Sequence, residues 1–208
     1  MAKPNWVVEP PKPRVSYAHA VALASDAVQM MQGMREKWET NLPREALRCT
    51  TCKESVCCDL ICLTTLPEAL IVTEMLASAN RRADLEALIA QGTKQLDYCG
   101  PEYVLEGKPE AKARVAEWSR LGEPCVLLKD GKCSVYENAP LVCRSFYVLE
   151  GPVPCKEDKV KMIDMAPVVQ PAFIILSEFC QEAVGSFIAP MPLGAMVSAA
   201  IGLWYPLD

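Results

Sequence analysis

Between Ser16 and Thr40, apolar side chains recur every three or four residues, with Val21, Ala24, Val28, Met31 and Trp38 on one face. That period predicts an amphipathic helix. The Met30, Met31 and Met34 group within it reads as flexible core filling. Residues 1–15 are different, because Pro4, Pro10, Pro11 and Pro13 fix the backbone and withhold donors. An extended arm is expected there. In ICLTTLPEALIVTEMLASAN, Thr65 and Glu68 fit a capping box and Pro67 sits in the first turn. A helix to about Ala79 follows from this. Leu85, Leu88 and Ile89 predict a short helix that Gly92 would end, and Glu110 to Leu121 predict a third, stopped by Gly122.

The pattern then changes. In CVLLKDGKCSVY, two short runs flank Lys-Asp-Gly-Lys, and Asp-Gly is a strong hairpin-turn signal. NAPLVCRSF resumes helical character, with Asn138 as the expected N-cap and Pro140 in the first turn. From Ala183 to Leu207 no charged residue occurs, a length that would span a bilayer. Pro190, Pro192 and Pro206 with Gly185, Gly194 and Gly202 break it into two expected short helical pieces. Burial in a core is the favoured reading; a surface for a protein partner or a homodimer is the alternative, and a membrane span is disfavoured.

Composition narrows the function classes. The 208 residues are 51% hydrophobic and 23% charged, a globular balance long enough to bury a sizeable core. A net charge of −5 without a basic stripe argues against nucleic acid as a partner. The N-terminal MAKPNWVVEPPKPRV lacks an apolar core of signal-peptide length, so a cytoplasmic, reducing location is expected. There, eleven cysteines, an odd number, point to metal or redox chemistry rather than a disulfide scaffold.

The cysteines fall into two groups. Cys49, Cys52, Cys57 and Cys58 form C-x2-C-x4-C-C, and a C-x2-C turn lets two sulfurs converge on one metal. Adjacent side chains diverge in an extended segment, so Cys57 and Cys58 either serve different ions or only one of them binds. Cys125, Cys133 and Cys143 bracket the hairpin and enter the following helix, and Cys155 joins them on spacing and count. Cys62, Cys99 and Cys180 stand in apolar or isolated contexts and read as small buried hydrophobes. The single histidine, His19, excludes a catalytic zinc site with several His ligands and reads as a surface or interface residue. Lys53 and Lys132 read as surface charge, and Arg144 as a donor offsetting the charge of nearby thiolates.

CTTCKESVCC followed by CVLLKDGKCSVYENAPLVCR resembles the CxxCxxCC (YkgJ-type) cysteine-cluster family, over roughly residues 45 to 160. That family is described as zinc- or iron-chelating, and flagellin lysine N-methylase is similar to it. The resemblance implies Cys49, Cys52, Cys57, Cys58, Cys125, Cys133 and Cys143 as cluster cysteines, with Tyr136, Pro140 and Arg144 as companions. Tyr136 and Arg144 are thereby candidate cofactor contacts. The chain departs from the family pattern at Val126, where proline is usual, and at Ala139, where arginine is usual.

The fold expected is mostly α: a small helical domain with a short β-hairpin at a multi-cysteine metal site. Residues 1–44 would form an arm and helix, 45–160 the metal-binding domain, and 161–208 apolar helices packing on it. The function expected is metal binding, an iron–sulfur cluster of 4Fe-4S type ahead of zinc, in electron transfer, metal handling or enzyme maturation. Independent enzyme activity is not expected. Two alternatives stand beside this: an S-adenosylmethionine-dependent lysine N-methylase-like enzyme, and an adaptor stapled by zinc. Against the enzyme, there is no Gly-rich strand-to-helix loop to seat the nucleotide and no C-x3-C-x2-C signature.

Overall fold

The structure is a computed structural model describing residues 11–43, 56–100, 113–114, 117–145 and 166–204. The first helix, α1 (Tyr17–Glu39), begins where expected: the Ser16 hydroxyl accepts the His19 N–H. Ala20, Ala24, Ala27 and Met31 form its buried stripe. Of the three methionines, Met31 is buried but Met30 is 58% exposed, because it lies one residue off that stripe.

A 3₁₀ turn over Val56–Asp59 leads into β1 (Leu63–Thr64) and then α2 (Leu66–Ser78). The capping box at Thr65 and Glu68 is present, with the Thr65 N–H donating to Glu68 Oε2 at 3.0 Å. The next helix, α3 (Arg82–Cys99), is longer than expected and runs straight through Gly92 to Gly100. Gly92 does not end the helix. A side chain there would strike the backbone of Gly194 and Ala195, so its bare Cα serves close packing instead. Of the expected helix from Glu110, the described residues are helical at 113–114 and 117–118, then form a 3₁₀ turn, Ser119–Leu121. Gly122 follows in the left-handed region at φ +66°, as a stop requires.

The hairpin stands where Asp-Gly put it. β2 (Leu128–Lys129) pairs antiparallel with β3 (Lys132–Cys133), Leu128 opposite Cys133. Asp130 and Gly131 both have positive φ, 50° and 73°, as a two-residue turn of this hand demands. Beyond it, Asn138 is not a helix cap. It closes a 3₁₀ turn, Tyr136–Asn138, and the short helix α4 (Leu141–Arg144) starts after Pro140. Its cap comes from far away: Glu68 Oε1 accepts the Leu141 N–H.

The long helix α5 (Ala166–Ala183) precedes the uncharged C-terminal stretch, which holds one described helix rather than two short pieces. Residues 184–190 are not helical, and β4 (Met191–Pro192) pairs antiparallel with β1 before α6 (Leu193–Trp204) begins. The two-stranded pair β1–β4 was not expected. It brings the stretch after Cys58 against the C-terminal segment.

The fold is mostly helical, as expected. α1 packs on α2 and α5, and α6 packs on α2 and α3. Leu66, Leu70, Val72, Leu76, Leu176, Met196, Val197 and Ala200 meet in the main core. Each large aliphatic side chain so buried contributes about 1.5–3 kcal/mol. Leu193, Met196, Val197, Ala200 and Leu203 are buried, so α6 is a core helix. Among the described residues, no helix is long and apolar enough to cross a membrane. A small separate cluster holds Ile61, Cys99 and Trp118, with Tyr98 edge-on to Trp118 at 5.4 Å.

Candidate cysteine-lined site

Three distant stretches meet around one cavity of about 100 Å³. Cys58 and Cys62 come from the segment before α2, Cys125 and Cys133 from the hairpin, and Cys143 from α4. Leu88, Gln91 and Gln95 of α3 and Leu193 and Gly194 of α6 supply the opposite wall. The wall is closely packed because α3 and α6 cross at two glycines: a side chain at Gly194 would overlap the Leu88 carbonyl.

Each cysteine is held by specific backbone bonds. The Cys125 N–H donates to the Cys58 carbonyl at 2.8 Å, joining the two cysteine groups directly. Gln91 grips the chain on both sides of Cys125: its amide donates to the Pro124 carbonyl at 2.8 Å, and its oxygen accepts the Val126 N–H at 3.1 Å. Arg81 holds the outgoing strand after Cys133, donating to the Ser134 carbonyl at 3.2 Å and hydroxyl at 2.7 Å. The Cys62 carbonyl accepts the Leu193 N–H at 3.2 Å, beside the β1–β4 pair. Cys143 rides on α4, whose first N–H is capped by Glu68.

The sulfurs are close enough to interact. Cys143 Sγ lies 3.0 Å from Cys62 Sγ, although the residues are 81 positions apart. Burial pushes the Cys125 thiol up to about 11, the backbone at Leu127 opposes this, and the neighbouring Cys143 and Cys133 raise it further. A cation beside the sulfur would oppose that shift and favour the thiolate. Even so, no three His, Cys, Asp or Glu side chains among the described residues form a converged ligand group.

The expected site residues therefore divide. Cys58, Cys125, Cys133 and Cys143 share the cavity. Cys57 lies in the 3₁₀ turn beside Cys58, its side chain outside the described residues. Cys49, Cys52 and Cys155, with Lys53, also lie outside them. Tyr136 lines the cavity at 40% exposure, and burial raises its phenol, with Arg35 pulling the other way. Arg144 is buried, and it turns toward α1, donating to Gln32 Oε1 at 3.2 Å and the Glu137 carbonyl at 3.5 Å. Burial and then the Arg35 guanidinium push its pKa down, while Glu68 opposes them. It makes no hydrogen bond to a described sulfur; its contacts tie α4 to α1.

Cys62 belongs to the site, not to the core, because it lines the cavity in contact with Cys143. No spacing rule marks it: it stands between Ile61 and Leu63, four residues past the adjacent pair. Cys99 and Cys180 are buried as expected, and burial raises both thiols. His19 is exposed, its ring 4.0 Å from Glu182. Lys132 is exposed on β3.

No protein-family model, no curated protein and no solved structure matches this chain.

Proposed function

We propose that this protein binds a thiophilic metal at the cysteine-lined cavity, an iron–sulfur cluster ahead of zinc, as a metal-binding protein of the cysteine-cluster type rather than an independent enzyme. The observation that carries this reading is that five cysteines from three separate stretches line one cavity. Thiolate-rich donor sets suit zinc or iron–sulfur chemistry and disfavour hard cations. Cys58, Cys125, Cys133 and Cys143 are the described residues that would supply sulfur, with Cys49, Cys52, Cys57 and Cys155 completing the set. Such a group, when bound, would supply either one-electron chemistry or structural cross-linking.

The chain's own part is to gather and shield sulfur. Gln91 and Arg81 fix the hairpin stretch and Glu68 fixes α4, while the Cys125 and Leu193 N–H groups hold the carbonyls of Cys58 and Cys62. Leu88, Leu127 and Val135 make its lining predominantly apolar, which restricts water at any sulfur-bound ion. An electron-transfer, metal-handling or maturation role in a cytoplasmic setting accords with such a site, since all-thiolate coordination leaves no open position for hydrolysis.

The test is a pair of variants. Protein purified without oxygen should absorb at about 400 nm if an iron–sulfur cluster is bound. Cys125→Ser should remove that absorbance, whereas Cys180→Ser, remote from the cavity, should keep it. Equal absorbance in Cys125→Ser and wild type would overturn the assignment.

A further inference from the structure

The spacing of the cysteines singles out two groups, and Cys62 is in neither. The fold nevertheless places its sulfur 3.0 Å from that of Cys143, closer than two sulfurs rest without bonding or sharing a hydrogen. Both line the same cavity, and Cys143 reaches the surface while Cys62 is half-buried behind it. The two are held by different elements: the Cys62 carbonyl by the Leu193 N–H, and α4 by Glu68. Neither backbone has to be recruited for the sulfurs to meet.

We infer that Cys62 and Cys143 form an oxidisable dithiol at the mouth of the cavity, a modification site through which peroxide controls whether Cys143 is available to the metal. This rests on the metal-binding reading for its consequence, but not for its chemistry. The exposed Cys143 sulfur attacks one peroxide oxygen as its thiolate. An S–O bond forms, the O–O bond breaks, and the second oxygen leaves as hydroxide, which takes up the proton the Cys143 thiol released and becomes the first water. The Cys62 sulfur then displaces the hydroxyl from the Cys143 sulfenic acid: the S–S bond forms, the S–O bond breaks, and water departs with the Cys62 proton. In sum, two thiols lose two electrons to one peroxide, giving one disulfide and two waters. The oxidised pair withdraws Cys143 from the proposed ligand set, which would loosen the site's hold on iron or zinc. Reduction by a small dithiol restores it.

Three features favour this pair over other thiols in the cavity. Cys143 is the exposed one, whereas Cys58, Cys125 and Cys133 are half-buried. Oxidation selects accessible sulfur. Cys143 has a resolving partner already at its side, and that partner, Cys62, is the cysteine the metal-site spacing leaves over.

The experiment uses the full chain, purified and freed of reductant under nitrogen, treated with one equivalent of hydrogen peroxide and then alkylated. Peptide mass spectrometry should find the residue 54–81 and 133–144 tryptic peptides joined, with fragmentation placing the bond between Cys62 and Cys143. Metal release, followed in parallel with a chromophoric chelator, should need about tenfold more peroxide in Cys62→Ser than in wild type. A bond joining Cys58 or Cys133 instead, or no joined peptides, would overturn the inference. So would equal peroxide sensitivity of release in Cys62→Ser and wild type. Cys62→Ala provides a second, smaller replacement if the serine variant misfolds, and the mapping on wild type needs no variant. If the reduced protein carries no metal, the metal-binding reading fails and the mapping arm alone decides the dithiol.

Discussion

Glu68 on α2 caps the helix that carries Cys143: its Oε1 accepts the Leu141 N–H from 73 residues away, while its Oε2 accepts the Thr65 N–H and hydroxyl. One buried carboxylate thus closes a local capping box and anchors a site helix of only four residues, too short to be stable alone. Glu68→Ala strands the Leu141 N–H in a buried position. The expected cost is about 1–3 kcal/mol, read as a lowered midpoint in urea denaturation. Glu68→Gln, which keeps an acceptor oxygen, should lose less than Glu68→Ala. Equal stability of all three proteins would remove Glu68 from this role.

The crossing of α3 and α6 admits no side chain at its closest point. Gly194→Ala places a Cβ on the Leu88 carbonyl and backbone, which have no rotamer to move. Destabilisation by about 1–3 kcal/mol is expected, with a similar loss for Gly92→Ala. Gly33→Ala and Gly202→Ala meet open space and should be neutral or slightly stabilising. Thermal unfolding of the four variants checks the contrast directly.

Asp84 gives a pH dependence of known sign. The Arg81 guanidinium, and then the Lys129 ammonium, hold its carboxyl below the ordinary value of 3.8. The contacts are Arg81 Nε to Asp84 Oδ2 at 2.7 Å and Lys129 Nζ to Oδ1 at 3.1 Å. A carboxyl with a depressed folded-state pKa adds stability above its unfolded value and loses it as pH falls through its folded value. Wild type should therefore exceed Asp84→Asn at pH 7, by under about 1 kcal/mol since the group is partly exposed. That gap should close as pH falls below about 4. Urea titrations at pH 7, 4 and 2.5 test it; a gap that widens with acid would contradict the ion pair's contribution.

Local chemistry was readable wherever the relevant partner lies within a few residues. The start of α1 after Ser16, the Thr65–Glu68 box, the Asp130–Gly131 turn and the Gly122 stop all stand as the sequence indicates. The misreadings share one cause, a partner distant in the chain. Gly92 looks like a helix end until α6 is laid against it, and Asn138 looks like a cap until Glu68 takes that task. Leu63–Thr64 are too few to announce a strand without Met191–Pro192 opposite. The cavity follows the same rule. Cys58, Cys125, Cys133 and Cys143 were legible from spacing, whereas Cys62 shows itself only through a sulfur 81 residues away.

The proposed metal would tie together stretches distant in the chain that line one cavity, so its binding and folding are expected to be linked. Elemental analysis of protein purified and kept without oxygen, with acid-labile sulfide assayed on the same sample, tests this most directly. Iron with matching sulfide, or failing that zinc, is expected in whole-number ratio to the chain, and is expected to be lost in Cys125→Ser. Protein that folds fully while holding neither iron nor zinc would contradict it.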